Sequence, residues 1–178
     1  MKNNRLKDMA LIALFPALMG ATSTVSIPFG GYAPITLQTL FVFMSGLILG
    51  PKKAFLSISI YLLMGSMGLP MFSGGSGGMG VLLGATAGFL FMFPIAAFLT
   101  GIHKNIKFIN KQIWLLVPFM LVVNVLIYMS GAAYLSYYLK VSYFPLLLSF
   151  WSYIPGDIIK IIAASYVYKR IRNHITYE

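Results

Sequence analysis

The feature that most constrains this chain is a succession of long apolar runs separated by short polar or basic connections. The runs cover residues 9–27, 36–49, 53–69, 81–101, 113–139 and 144–168. Hydrophobic residues make up 59% of the chain and charged residues only 9%, whereas soluble domains carry roughly a quarter charged residues. Because a membrane-spanning helix needs about 20 mostly apolar residues, the sequence predicts an all-α integral membrane protein. We expect six transmembrane helices that form a single domain over residues 1–178.

The basic residues predict the orientation of these helices. Lys and Arg of short loops are retained on the cytoplasmic side of a membrane. With six helices, four basic clusters lie on one side of the membrane, and Lys140 lies on the other side. The four clusters contain Lys2, Arg5, Lys7, Lys52, Lys53, Lys104, Lys107, Lys111, Lys169, Arg170 and Arg172. Both termini are therefore expected in the cytoplasm. The net charge of +10 does not indicate nucleic-acid binding, because these cations lie at the ends of apolar runs and form no basic face on a soluble domain.

Two charged residues lie inside the sixth apolar run. Asp157 and Lys160 are three residues apart, so on a helix they project from the same face. A charge near the bilayer centre costs at least about 2.5 to 3.5 kcal/mol on insertion scales, and both side chains should therefore face the interior. Pro155 and Gly156 are expected to weaken the helix at this point. We favour a ligand-binding role for the pair over a structural ion pair or a proton relay.

A glycine-rich stretch precedes the fourth run, at residues 73–80 on the predicted external side. Gly75, Gly77 and Gly78, together with Ser76, could present backbone N–H groups to a ligand and fold over a cavity as a lid. A flexible linker is the alternative. The stretch is not a nucleotide-phosphate loop, because it contains no lysine.

Small and polar residues within the other runs suggest helix contacts. Ala13, Ala17 and Ala21 recur every four residues, which allows close packing against another helix, either within the bundle or on a partner. Polar side chains occur at Gln38, Tyr61 and Asn124, and for the last two we favour simple hydrogen bonding to a neighbouring helix. The chain has no cysteine, and neither histidine has a metal-ligand companion, so no metal or cofactor is expected.

Three strings together resemble the BioY family, the biotin-binding S components of energy-coupling factor (ECF) transporters. They are Ala-Pro-Ile-Thr-Leu-Gln-Thr-Leu at 33–40, Gly-Gly-Ser-Gly-Gly-Met-Gly-Val-Leu-Leu-Gly-Ala-Thr-Ala-Gly-Phe at 74–89, and Pro-Gly-Asp-Ile-Ile-Lys at 155–160. The family usually has Pro-Thr-Gly-Gly-Tyr where this chain has Ala-Thr-Ala-Gly-Phe at 85–89, which leaves Thr86 but no tyrosine contact there.

The resemblance implies a multi-pass protein of the bacterial cell membrane that is not an enzyme. It would capture biotin outside the cell and dock onto a transmembrane coupling subunit and two ATPases. Lys160 would offer a cation to the biotin carboxylate and Asp157 an acceptor to the ureido N–H groups, with Thr86, Gln38 and the backbone of residues 75–78 as further ligand contacts. The first helix would meet the coupling subunit through Ala13, Ala17 and Ala21. A proton-coupled small-molecule carrier and an intramembrane enzyme remain the alternatives.

Overall fold

The computed structural model of the chain describes residues 2–28, 33–106, 109 and 112–172. Lys107 and Lys111 of the basic clusters lie outside the described residues. The helices in chain order are α1 (Lys2–Ala21), α2 (Gln38–Leu49), α3 (Pro51–Ser66), α4 (Met79–Leu82), α5 (Ala87–Gly101), α6 (Leu116–Leu139), α7 (Tyr143–Ser149) and α8 (Ile154–Ile171). Single 3₁₀ turns occupy Ser73–Gly75, Ile102–Asn105, Ile113–Leu115 and Phe150–Tyr153.

Two very short strands interrupt this helical architecture between α1 and α2. Strand β1 (Ser26–Ile27) pairs antiparallel with β2 (Ile35–Thr36), and Ser26 lies opposite Thr36. The predicted all-helical fold is otherwise confirmed. Among the described residues, three helical segments are long and apolar enough to cross a membrane, namely Ala87–Asn105, Leu116–Leu139 and Tyr143–Ile171.

The predicted boundaries need correction in three of the six runs. The first helix ends at Ala21, before the short strands. The fourth run is divided into α4 and α5, and the sixth into α7 and α8 around the turn Phe150–Tyr153. The expected weakening at Pro155 and Gly156 is wrong, because Pro155 lies in the first turn of α8. A proline there removes an N–H that would have no partner within the helix.

Helices approach each other closely at two glycines, where a side chain would have no room. A Cβ on Gly46 of α2 would lie 2.6 Å from the carbonyl oxygen of Ala97 in α5. A Cβ on Gly88 of α5 would lie 2.7 Å from the carbonyl oxygen of Ser130 in α6. Both distances are shorter than a carbon and an oxygen can approach, so α5 packs against α2 and α6 at separations that only glycine permits.

Basic side chains join the ends of several helices at one end of the bundle. Lys53 at the start of α3 forms an ion pair of 2.7 Å with Asp8 of α1. Lys104, after α5, donates a hydrogen bond of 2.9 Å to the carbonyl of Ile48 near the end of α2. Lys53 and Lys104, members of two basic clusters, therefore lie at the same end of the fold, as the charge pattern predicts.

Candidate ligand-binding site

A cavity of about 240 Å³ lies between the connection that precedes α2, the segment before α4, and helices α2, α5, α6 and α8. This volume lies slightly below the range of about 300 to 1,000 Å³ that is common for ligand pockets, so the cavity suits a small, compact ligand. Besides the charged pair, its polar lining comprises Thr36, Gln38, Thr39, Ser73, Ser76, Thr86, Asn124, Tyr128 and Tyr153.

Asp157 and Lys160 lie together in the cavity wall. Their side chains are 6% and 13% exposed, and the Lys160 Nζ lies 2.9 Å from the Asp157 Oδ1. Lys160 also donates to the Thr39 hydroxyl of α2 at 3.3 Å. The prediction that both charges face the interior is therefore confirmed. Because an ammonium has three N–H donors, one donor remains beyond these two contacts.

The second carboxylate oxygen of Asp157 is hydrogen-bonded to α6. The Asn124 Nδ2 donates to the Asp157 Oδ2 at 3.0 Å, and the Tyr128 hydroxyl donates to the same oxygen. With Lys160 on the other oxygen, three donors contact this carboxylate. Asn124 thus forms the expected bond to a neighbouring helix and also lines the cavity, a role that we did not favour from the sequence.

Gln38 lies at the start of α2, where two neighbours fix its amide. Its Nε2 donates to the Tyr61 hydroxyl at 2.6 Å, and its Oε1 accepts from the Thr36 hydroxyl at 3.1 Å. Tyr61 is fully buried on α3 and is not among the lining residues. The prediction that Tyr61 bonds a neighbouring helix is confirmed.

Of the remaining residues predicted to bind a ligand, some line the cavity and others do not. Thr86, which precedes α5, and Ser76 line the cavity, but Gly75, Gly77 and Gly78 are not among its lining residues. The Gly75 N–H donates to the Phe72 carbonyl and the Gly78 N–H to the Gly65 carbonyl. Gly75 and Gly78 therefore use their donors within the structure itself.

Aromatic rings form much of the remaining wall. Phe150 stacks on Tyr128 with ring centroids 5.4 Å apart, and it meets Phe89 edge to face at 5.3 Å. The Tyr153 hydroxyl donates to the Ala33 carbonyl at 2.5 Å, which connects the turn before α8 to the segment before α2. The cavity thus combines an apolar body with a charged cluster.

The sequence analysis missed Tyr128 and Tyr153 as residues of this site. Tyr128 lies four residues after Asn124, on the same face of one helix, and that spacing of two polar groups in an apolar run was a signal that could have identified it. Tyr153 gave no such signal, because the 3₁₀ turn that directs it into the cavity is not visible in the hydropathy pattern.

The face of α1 that carries Ala13, Ala17 and Ala21 is exposed. The opposite face contains Phe15 and Met19, which are buried. In the chain as described, the small residues do not pack within the bundle, so this face is free to contact lipid or another protein.

Comparison with known proteins agrees with this architecture. The BioY family model matches residues 1–177. The chain belongs to the BioY family. Among its relatives in this family, "Biotin transporter BioY" of Thermotoga maritima is 32% identical over 167 residues, which cover 94% of this chain and 96% of the relative. "Probable biotin transporter BioY" of Bacillus subtilis is 34% identical over 165 residues, which cover 92% and 89% of the two chains.

A solved structure of similar fold extends the comparison to three dimensions. It is the crystal structure of the S component for biotin from an ECF-type ABC transporter. The structures superpose with a TM-score of 0.90 at 28% sequence identity, and the match covers 97% of this chain and 94% of the other. The family resemblance drawn from three sequence strings is therefore confirmed.

Proposed function

We propose that this protein is the biotin-binding S component of an ECF transporter, which captures biotin on the external side of the membrane and delivers it through an ATP-driven complex. The observation that supports this most strongly is a small cavity with an apolar body and a charged cluster, in a chain of the BioY family. Biotin has an apolar middle, a ureido group at one end and a carboxylate at the other. The protein itself performs no catalysis in this proposal and uses no cofactor.

The geometry of the charged pair favours one orientation of the ligand. Because Asp157 and Lys160 are in contact at 2.9 Å, they meet the same end of an extended molecule. A ligand carboxylate at Lys160 would lie beside the Asp157 carboxylate and be repelled by it. The ureido group instead has an acceptor oxygen for the remaining Lys160 N–H and N–H donors for Asp157. We therefore assign the ureido end to this pair and revise the expectation that Lys160 pairs with the carboxylate.

The opposite end of biotin then faces the remaining polar groups of the cavity. Gln38 and Thr86 offer neutral donors to the carboxylate, whereas the Ser76 hydroxyl donates its proton to the Ser73 carbonyl at 2.8 Å. Gly75, Gly77 and Gly78 contribute by shaping the segment that carries Ser76. In this arrangement they do not bind biotin directly.

The proposed topology is a single domain with six transmembrane helices and both termini in the cytoplasm. The spans are α1, α2, α3, α5, α6 and the α7–α8 segment. The ion pair between Lys53 and Asp8 and the bond from Lys104 to Ile48 gather cations at one end of the bundle, which supports a cytoplasmic location of that end. The segment with Ser73 and Ser76 then opens to the exterior of a bacterial cell membrane.

The proposed partners are a transmembrane coupling subunit and two ATPase subunits. The chain has no nucleotide-phosphate motif, so ATP hydrolysis must come from other proteins. The exposed small residues Ala13, Ala17 and Ala21 would let a helix of the coupling subunit approach α1 closely.

Mass spectrometry of small molecules extracted from the purified protein tests the proposed ligand. Biotin in a ratio approaching one per chain is expected. A different vitamin or a lipid substrate as the bound species would contradict the proposal and favour another carrier or an enzyme.

Titration with biotin and with biotin amide tests the orientation. If the ureido group meets the charged pair, Lys160→Ala weakens the acid and the amide by the same factor. A penalty that disappears for the amide would instead place the carboxylate at Lys160.

A further inference from the structure

Tyr61 is a buried polar residue that the proposed function does not use. Its side chain is fully buried on α3, and it lies behind the cavity wall rather than in it. We propose that Tyr61 is a positioning residue, which fixes the amide of Gln38 for the ligand by linking it to the backbone of Met71. This inference rests on the proposed function, because it concerns how the same cavity recognises biotin.

The hydrogen bonds of Tyr61 determine which end of the Gln38 amide faces it. The Tyr61 hydroxyl donates to the Met71 carbonyl at 3.1 Å, and a carbonyl can only accept. The single hydroxyl proton is therefore used at Met71, and a lone pair of the oxygen receives the Gln38 Nε2 at 2.6 Å. As a result, the NH₂ of the amide points toward Tyr61 and its oxygen points toward Thr36, whose hydroxyl lies 3.1 Å away. The second N–H of the Gln38 side-chain amide is therefore held in a fixed orientation.

The Met71 carbonyl is itself held firmly in place. The next residue, Phe72, lines the cavity and meets the Tyr61 ring edge to face, with centroids 5.6 Å apart. Its ring occupies the space above Gly65, where a Cβ would lie 2.2 Å from the Phe72 Cζ. Tyr61 therefore connects the cavity wall formed by Gln38 to a well-packed segment that carries other lining residues.

A double-mutant cycle between Tyr61 and Gln38 tests this role. Tyr61→Phe keeps the ring and its packing but removes the hydroxyl, so the Gln38 amide can rotate. We expect biotin affinity to fall about three- to tenfold, the equivalent of one neutral hydrogen bond. In a Gln38→Leu background the same substitution should have no further effect, because the group that Tyr61 positions is then absent. Equal factors in the two backgrounds would mean a purely structural role and overturn the inference.

Two further variants separate positioning from general damage. Thr36→Val removes the other anchor of the Gln38 amide without altering Tyr61, and it should likewise weaken biotin only when Gln38 is present. Tyr168→Phe removes the hydroxyl of a buried tyrosine that contacts His103 at 3.1 Å, outside the cavity lining. It should lower the thermal midpoint and leave affinity unchanged. Failure of the wild-type protein to bind biotin would refute the proposed function, whereas biotin binding that is insensitive to Tyr61→Phe would refute this inference alone.

Discussion

The two members of the buried ion pair should contribute unequally to stability, because their remaining partners differ. Asp157→Asn leaves the Lys160 ammonium without its counter-charge, and the hydroxyl of Thr39 at 3.3 Å is its other contact. Removing one partner of a buried pair in this way costs about 3 to 5 kcal/mol. Lys160→Met leaves a carboxylate that still accepts hydrogen bonds from Asn124 and Tyr128. That loss should be close to one charge-assisted hydrogen bond, about 1.5 to 3 kcal/mol.

Chemical and thermal unfolding in detergent, without ligand, measures this difference. The double variant Asp157→Asn with Lys160→Met should be more stable than the sum of the single losses predicts, because no unpaired charge remains. Lys52→Met is a matched control, since Lys52 is exposed and its loss should change the free energy of unfolding by at most about 0.5 kcal/mol. A larger loss for Lys160→Met than for Asp157→Asn would refute the assignment of Asn124 and Tyr128 as carboxylate donors. Strictly additive losses would instead show that Asp157 and Lys160 are not coupled as an ion pair.

Three further predictions concern the partner surface, the helix contacts and the topology. Ala17→Trp should leave biotin binding intact but abolish uptake by the complete transporter. As a control, Val122→Trp at an exposed position should affect neither binding nor uptake. Equal loss of binding and uptake in Ala17→Trp would show that the α1 face packs internally. Gly46→Ala should destabilise the bundle by about 1 to 3 kcal/mol through overpacking, while Gly80→Ala, where a Cβ meets nothing within 4 Å, should be nearly neutral in the same unfolding assay. A reporter inserted near Ser76 should read external and one fused to the C-terminus cytoplasmic, and a cytoplasmic signal at Ser76 would contradict six spans.

The charged pair shows what the sequence could reveal about the site. A carboxylate and an ammonium in an apolar run must face the bundle interior, since exposure to lipid costs too much. That argument needs only residue types and helical spacing, and it placed Asp157 and Lys160 correctly. Their direct contact also follows from the i, i+3 spacing, although its consequence for ligand orientation required the distance between the two charged groups in the folded chain.

The predictions for Tyr61 and for the glycine-rich segment show where sequence reasoning stopped. Hydropathy indicates that a tyrosine is buried, but it does not indicate that the Tyr61 hydroxyl connects Gln38 to Met71. The contact between Gln38 and Tyr61 joins residues that are 23 positions apart in the sequence. Likewise, glycine content indicates conformational freedom, yet it does not say where each N–H points. In the folded chain, the donors of Gly75 and Gly78 are bonded to Phe72 and Gly65.

Titration calorimetry of the purified protein with biotin tests the central claim most directly. The account predicts saturable binding of one biotin per chain, together with strong weakening in Asp157→Asn protein that is shown to be folded by its thermal transition. Binding that is unchanged in this folded variant would mean that biotin does not occupy this cavity. The absence of any binding to the wild-type chain would contradict the proposed function itself.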